Sequence, residues 1–198
     1  HMPVLHEGSR RARPRMRLAM WLGVLVWATP VAAQGTLSGT VEATLTLTSS
    51  CVISGDTTTS GANFGTLDFG TEPANFTGAL TTQATGGAGG PGHTQIVCSP
   101  DVEGVDVSVD SGQHAGQGVG VGDGARALAS GAAFVPYDVY STSSFTTAYP
   151  PDGSALSVPI AAAGAAFDLP IFARINKTSA AALPAGTYTD SLAVTITF

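Results

Sequence analysis

Along residues 188–198 the apolar side chains Leu192, Val194, Ile196 and Phe198 alternate with Ser191, Ala193, Thr195 and Thr197. Successive side chains of an extended strand point to opposite faces, so this alternation predicts a strand with one buried side. No returning strand is expected after Phe198, and a strand this apolar needs a neighbour on each side or it leaves an open sheet edge. A second alternating segment covers residues 36–48. There Leu37, Val41, Ala43, Leu45 and Leu47 are apolar, and Glu42, Thr44, Thr46 and Thr48 stand between the later ones. The segment is rich in Thr and free of Pro, as a strand is.

Between these ends the pattern predicts further short strands. Residues 93–98, 102–109 (Val105, Val107 and Val109 inward) and 169–175 (Ile171, Ala173 and Ile175 on one face) are the clearest. Cys51-Val-Ile53 opens the main body, and residues 64–70 alternate briefly between bounding glycines. Residues 135–140 form another strand, whose Pro136 removes a ladder donor and so suggests an edge or a strand start. Residues 145–166 read as mostly loop, with pairing expected at 156–160. Two glycine-rich stretches, 86–92 and 111–124, read as flexible loops, the second as mobile. No segment shows a useful helical period. Many short strands separated by Gly and Pro predict a single all-β sandwich.

Composition agrees with one all-β domain: of 198 residues 25 are Gly and 12 Pro, and only 11% are charged. The net charge of −6 hides an asymmetry, since five of the eight basic residues (Arg10, Arg11, Arg13, Arg15 and Arg17) precede residue 18. Only Arg126, Arg174 and Lys177 follow. A chain so poor in cations cannot neutralise a row of phosphates, which argues against nucleic acid as a partner.

The basic start has another use. Arg15 and Arg17, the apolar run 18–28 and the small-residue site Val31-Ala-Ala33 have the order of a cleaved export signal. The run is too short to span a bilayer, so no membrane insertion is expected after cleavage, and the mature chain should begin at Gln34. The expected division is therefore a leader over 1–33, an N-terminal extension over 34–50 and a body over 51–198. Export takes Cys51 and Cys98 into an oxidising compartment, where two cysteines suffice for one bridge. Closing a loop of about 48 residues is worth about 4 kcal/mol at most. A metal or redox pair is the weaker reading, because no C-x-x-C and no cluster of His accompanies them.

Catalytic and cofactor readings find little. Asp110-Ser-Gly112 imitates the catalytic loop of aspartic proteases, but that chemistry needs two such carboxylates and no second copy exists. His93 and His114 are the only histidines after the leader, and no G-x-S-x-G elbow stands near them, so they read as polar loop residues. Gly116-Gln-Gly-Val-Gly120 and 86–92 lack the Gly-Lys-Ser/Thr ending of a phosphate cradle. Asn75 and Asn176 begin glycosylation-like sequons. Tyr188, two residues before Asp190, resembles a tyrosine corner, a structural role. The expectation is no enzyme, no cofactor and no metal.

Taken in order, Cys51, Phe64-Gly-Thr-Leu-Asp-Phe-Gly70, Cys98, Pro136-Tyr-Asp-Val-Tyr140, Leu169-Pro-Ile-Phe172 and Pro184-Ala-Gly-Thr-Tyr-Thr-Asp190 lead to the closing Val194-Thr-Ile-Thr-Phe198. This series resembles the spore coat protein U domain found in subunits of archaic, Csu-type chaperone–usher pili. The resemblance covers nearly all of 36–198, apart from the glycine-rich loop at 111–124. It implies an incomplete immunoglobulin-like β-sandwich lacking its last strand, filled first by a periplasmic chaperone and then by the extension of the next subunit. On that reading the chain passes an outer-membrane usher and joins other copies of itself in a surface pilus that serves adhesion and biofilm formation. Leu37, Val41, Ala43, Leu45 and Leu47 would be the donated face. Leu192, Val194, Ile196 and Phe198 would face the chaperone or donor. The alternative is a self-contained secreted β-sandwich that binds carbohydrate or protein through its Gly-rich loops.

The exported protein should therefore have the intact mass of a chain beginning at Gln34. A product retaining residues 18–28 would refute the assignment of the signal.

Overall fold

The computed structural model describes residues 35–58 and 60–198. The expected export signal at 1–33 and the expected start at Gln34 lie outside the described residues. The chain divides into two units, His1–Thr44 and Leu45–Phe198. Of the first, residues 35–44 belong to no helix or strand, and every one of them is exposed. Residues 45–50, which open the second unit, are likewise irregular and exposed.

The second unit is all-β. Its strands in chain order are β1 (Cys51–Ile53), β2 (Gly78–Gln83), β3 (Gln95–Cys98), β4 (Gly104–Val109), β5 (Gly122–Asp123) and β6 (Arg126–Ser130). They continue with β7 (Ala133–Tyr140), β8 (Leu156–Pro159), β9 (Phe167–Asp168), β10 (Phe172–Lys177) and β11 (Val194–Thr197). Every pairing between these strands is antiparallel. One sheet runs β2-β10-β7-β6, with β5 added beside β10, and two three-stranded sheets run β1-β3-β9 and β11-β4-β8. Among the described residues no helix is long and apolar enough to cross a membrane.

Side chains from all three sheets meet in one core. Val105, Val107 and Val109 of β4 are buried while Asp106 between them is exposed, as the period-2 pattern requires. Val135, Tyr137 and Val139 of β7 and Ala173 and Ile175 of β10 join Ile53, Ile96 and Cys98 in the same cluster. Burying each of the larger apolar side chains stabilises the fold by about 1.5–3 kcal/mol. The disulfide between Cys51 and Cys98 joins residues that are direct partners in the β1–β3 ladder.

Several elements differ from the sequence expectation. β7 lies inside its sheet, between β10 and β6, although it contains Pro136. The β10–β7 ladder runs from Phe172↔Tyr140 to Ile175↔Tyr137 and stops one residue short of Pro136, where β5 takes over opposite Asn176. The missing donor thus falls where the ladder has already ended. The strand expected from 169 begins only at Phe172, because Pro170 likewise cannot donate to a ladder. Leu169 and Ile171 are buried ahead of it but belong to no strand. Residues 64–70 form a single bridge, Thr66↔Thr85, rather than a strand.

The loop at 111–124 is the largest departure, since it lies against the sheet instead of standing free. Gly116 N–H donates to the Ala125 carbonyl at 3.0 Å, and β5 within it pairs with Asn176 and Lys177. At Gly118 (φ +78°) a Cβ would come within 2.8 Å of the Pro136 ring, so glycine is what permits this close approach.

One buried cation spans the layers. Arg126 of β6 is fully buried, and its guanidinium donates to the carbonyls of Asp110 (2.7 Å), Val109 (2.9 Å) and Tyr149 (3.3 Å). It thereby links the five-stranded sheet to the end of β4. Burial draws its pKa down, opposed by Tyr137 and by the carboxylates of Asp138, Asp110 and Asp190. Arg126→Met would leave several buried carbonyls without donors. The urea midpoint of the variant should fall by the equivalent of about 3 kcal/mol or more, with the m-value unchanged. A midpoint within experimental scatter of the parent would remove the guanidinium from this role.

Candidate functional site

β11 ends one three-stranded sheet and β1 ends the other, so each offers a row of backbone groups with no ladder partner on its outer side. Both rows line a single open cleft of about 1480 Å³ in the body. Small-molecule pockets run to about 1,000 Å³ at most, so this cleft is large for such a ligand and has the form of a trough. Its floor is the core itself: half-buried Leu80 of β2 and Leu128 of β6, with Leu67 and Phe69 from the loop before β2, over buried Val135 and Tyr137 of β7 and Ile175 of β10.

The chain builds the β11 wall by alternation. Leu192, Val194 and Ile196 are half-buried and packed against the core cluster, whereas Ala193, Thr195 and Thr197 are exposed. Phe198 also lines the cleft but is 55% exposed. Among the described residues the only ladder of β11 is with β4, from Val194↔Val109 to Thr197↔Asp106. The opposite wall is Cys51, Val52 and Ile53, held to β3 by three ladder pairs and the disulfide.

Polar contacts fix the approach to β11. Tyr188 donates its hydroxyl to the Pro184 carbonyl at 2.8 Å, the reach-back expected of a tyrosine corner. Thr189 exchanges two backbone hydrogen bonds with Ala129 of β6, at 2.9 and 3.0 Å. Tyr137 donates to Asp190 Oδ2 at 2.8 Å. Burial pushes the Tyr137 phenol well above its usual range, and the bond to Asp190 adds to the rise. Among the described residues the cleft has Asp68, Glu72 and Asp190 on its lining and no Lys or Arg.

The five apolar residues singled out near the N-terminus belong to no strand. Leu37, Val41, Leu45 and Leu47 are between 82% and 103% exposed, and Ala43 is exposed too. The catalytic look-alikes do other work. Asp110 Oδ1 accepts from Gly112 N–H and Ala193 N–H, both at 3.0 Å, which is a turn joined to the last strand. His114 packs its ring against Phe134 and places Nδ1 3.4 Å from Asp190. Asn176 of the second sequon sits in β10 and donates to Asp123.

Tyr137, Asp190 and Arg126 were not singled out by the sequence pattern as partners of one another. No periodic signal marks a buried polar residue, and Tyr137 and Asp190 are 53 positions apart.

The family model of the Spore Coat Protein U domain matches residues 37–195. The chain belongs to that family. The match takes in residues 37–48 of the exposed alternating segment and the first two residues of β11. No curated protein matches the chain. Among solved structures it is similar to the CsuC–CsuE chaperone–tip adhesion subunit pre-assembly complex from archaic chaperone–usher Csu pili of Acinetobacter baumannii. The identity is 23% and the TM-score 0.43, over 77% of this chain and 40% of that one. This chain thus spans less than half of the length of its solved counterpart.

An open apolar trough in a folded spore coat protein U domain should bind 8-anilinonaphthalene-1-sulfonate. The purified chain should enhance the dye's fluorescence while still unfolding cooperatively in urea. A folded chain that leaves the dye dark would mean that the trough is closed in solution.

Proposed function

We propose that the chain is a structural subunit of a surface pilus assembled by the chaperone–usher route, and that copies join head to tail by donation of residues 36–48. The observation that carries this reading is the trough between the unpaired edges of β1 and β11. One strand laid there would pair with both edges and turn two three-stranded sheets into one of seven, covering the exposed core. Strand addition of this kind draws affinity from main-chain hydrogen bonds and specificity from alternate side chains.

The chain carries a segment of suitable chemistry. Leu37, Val41, Leu45 and Leu47 lie exposed with polar residues between them. Burying these four is worth roughly 6–12 kcal/mol before ordering costs, at 1.5–3 kcal/mol each. In this reading residues 1–33 are a removed leader, 34–50 the donated extension and 51–198 the accepting body. The interface is heterologous and need not close, so it builds a filament. A periplasmic chaperone would occupy the trough first, facing Leu192, Val194, Ile196 and Phe198, and an outer-membrane usher would pass the subunit to the surface. Family membership supports this route and a role in adhesion and biofilm formation. The self-contained sandwich with binding loops is less well supported, because the loop at 111–124 packs on its own sheet.

The test compares Leu45→Asp with Thr44→Asp in cells that express chaperone and usher. A charge at Leu45 would be buried without a partner and should abolish filaments, whereas Thr44 faces away and should tolerate the change. Filaments of equal number from both variants would remove residues 36–48 as the donated strand.

A further inference from the structure

Residues 189–194 carry the chain from one layer of the sandwich to the other. Thr189 is bridged to Ala129 of β6, and Val194 pairs with Val109 of β4. Asp190 stands in this crossing with its side chain only 1% exposed. A buried carboxylate is costly unless fully hydrogen-bonded, and here the donors come from two other segments. Tyr137 of β7 donates to Oδ2 at 2.8 Å, and Gln113 N–H of the glycine-rich loop donates to Oδ1 at 2.8 Å. His114 Nδ1 lies 3.4 Å from the same Oδ1. The loop fits only because residue 112 is glycine. Its φ is +70°, and a Cβ there would overlap the Asp190 carboxylate. Asp110 repeats the arrangement one step away, accepting from Gly112 N–H and Ala193 N–H, and its own N–H donates to the Ala193 carbonyl at 3.0 Å.

The loop, β7 and the crossing share no ladder with one another. β11 itself has a ladder of only four residue pairs, on one side. Its placement therefore depends on how its root is held. We infer that Asp190 is a positioning residue for strand acceptance: it fastens the loop at 111–124 to the root of β11, so that the free edge of β11 stands in place before any strand arrives. This rests on the strand-accepting reading of the trough. It gives the glycine-rich loop a role, as the strap that Asp190 holds. An edge already in place lowers the ordering cost of binding, and association that needs no prior rearrangement is faster.

The full exported chain, its Asp190→Asn variant and its Tyr137→Phe variant would be compared in two measurements. The first is hydrogen exchange of backbone amides. The second is the association and dissociation rate of a labelled synthetic peptide of residues 35–50. In Asp190→Asn, exchange at 112–114 and in β11 should quicken at least tenfold while β3 and β10 keep their protection. Peptide association should slow at least tenfold with a nearly unchanged dissociation rate. Tyr137→Phe, which removes one donor, should shift both quantities in the same direction by less. Exchange and association like the parent's in Asp190→Asn would overturn the inference. If Asp190→Asn fails to fold, Tyr137→Phe decides, and a parental association rate there overturns it. Should the parent chain itself ignore the peptide, the strand-accepting reading fails separately. The exchange data then stand alone: selective loosening upholds the fastening of loop to strand, and its absence overturns it.

Discussion

Backbone hydrogen bonding along β11 and β1 governs this molecule. A strand over a hydrophobic core leaves one set of N–H and C=O groups to be satisfied on each side, and among the described residues both strands have a partner on one side only. The core between them is consequently left half-open, with Leu67, Phe69, Leu80 and Leu128 at the surface of the trough. A complete sandwich would have closed over these residues with a further strand of its own. The remaining architecture holds the two walls apart and in place. Arg126 links the layers from within, the disulfide fixes β1, and the contacts of Asp110 and Asp190 fix the root of β11.

Much of the frame is visible in the sequence. The alternation along residues 188–198 corresponds to the half-buried face of Leu192, Val194 and Ile196, and that of 105–109 to the buried valines of β4. Where one face is apolar and the other polar, pattern and burial coincide because period 2 is a property of the backbone. β2 and β6 escape such reading for different reasons. Gly78-Ala-Leu-Thr-Thr-Gln83 has a single large apolar residue and owes its strand to register with β10. Arg126-Ala-Leu-Ala-Ser130 points its most polar residue inward. The trough is harder still to foresee. Its walls lie at opposite ends of the body, and the polar contacts that hold them join residues far apart in the chain.

Burial of cations shapes the outer surface as well. Lys177 is almost wholly buried, with Nζ donating to the carbonyls of Ser179 and Ala181 and lying 5.3 Å from the Phe76 ring. Arg126 is satisfied by carbonyls in the same manner. Among the described residues this leaves Arg174, stacked over Tyr140 and Phe145, as the one Lys or Arg that is not buried. The formal charges on the outside of the domain are thus almost all negative. Copies of such a chain repel one another at a distance, which disfavours unguided association through their flanks. On the proposed strand-donation reading, attachment between copies would then come from apolar burial and backbone pairing.

The disulfide has a mechanical meaning. Residues 35–50 run into the body at Cys51, so any tension on that segment is delivered to β1. β1 alone is three residues long, and its ladder bonds would break in succession under a pull along the chain. Cys51 is covalently joined to Cys98, with Ser99 N–H bonded to the Ser50 carbonyl beside it. The force therefore bypasses the weak ladder and enters β3 through a covalent bond, making the first residue of the body its tow point.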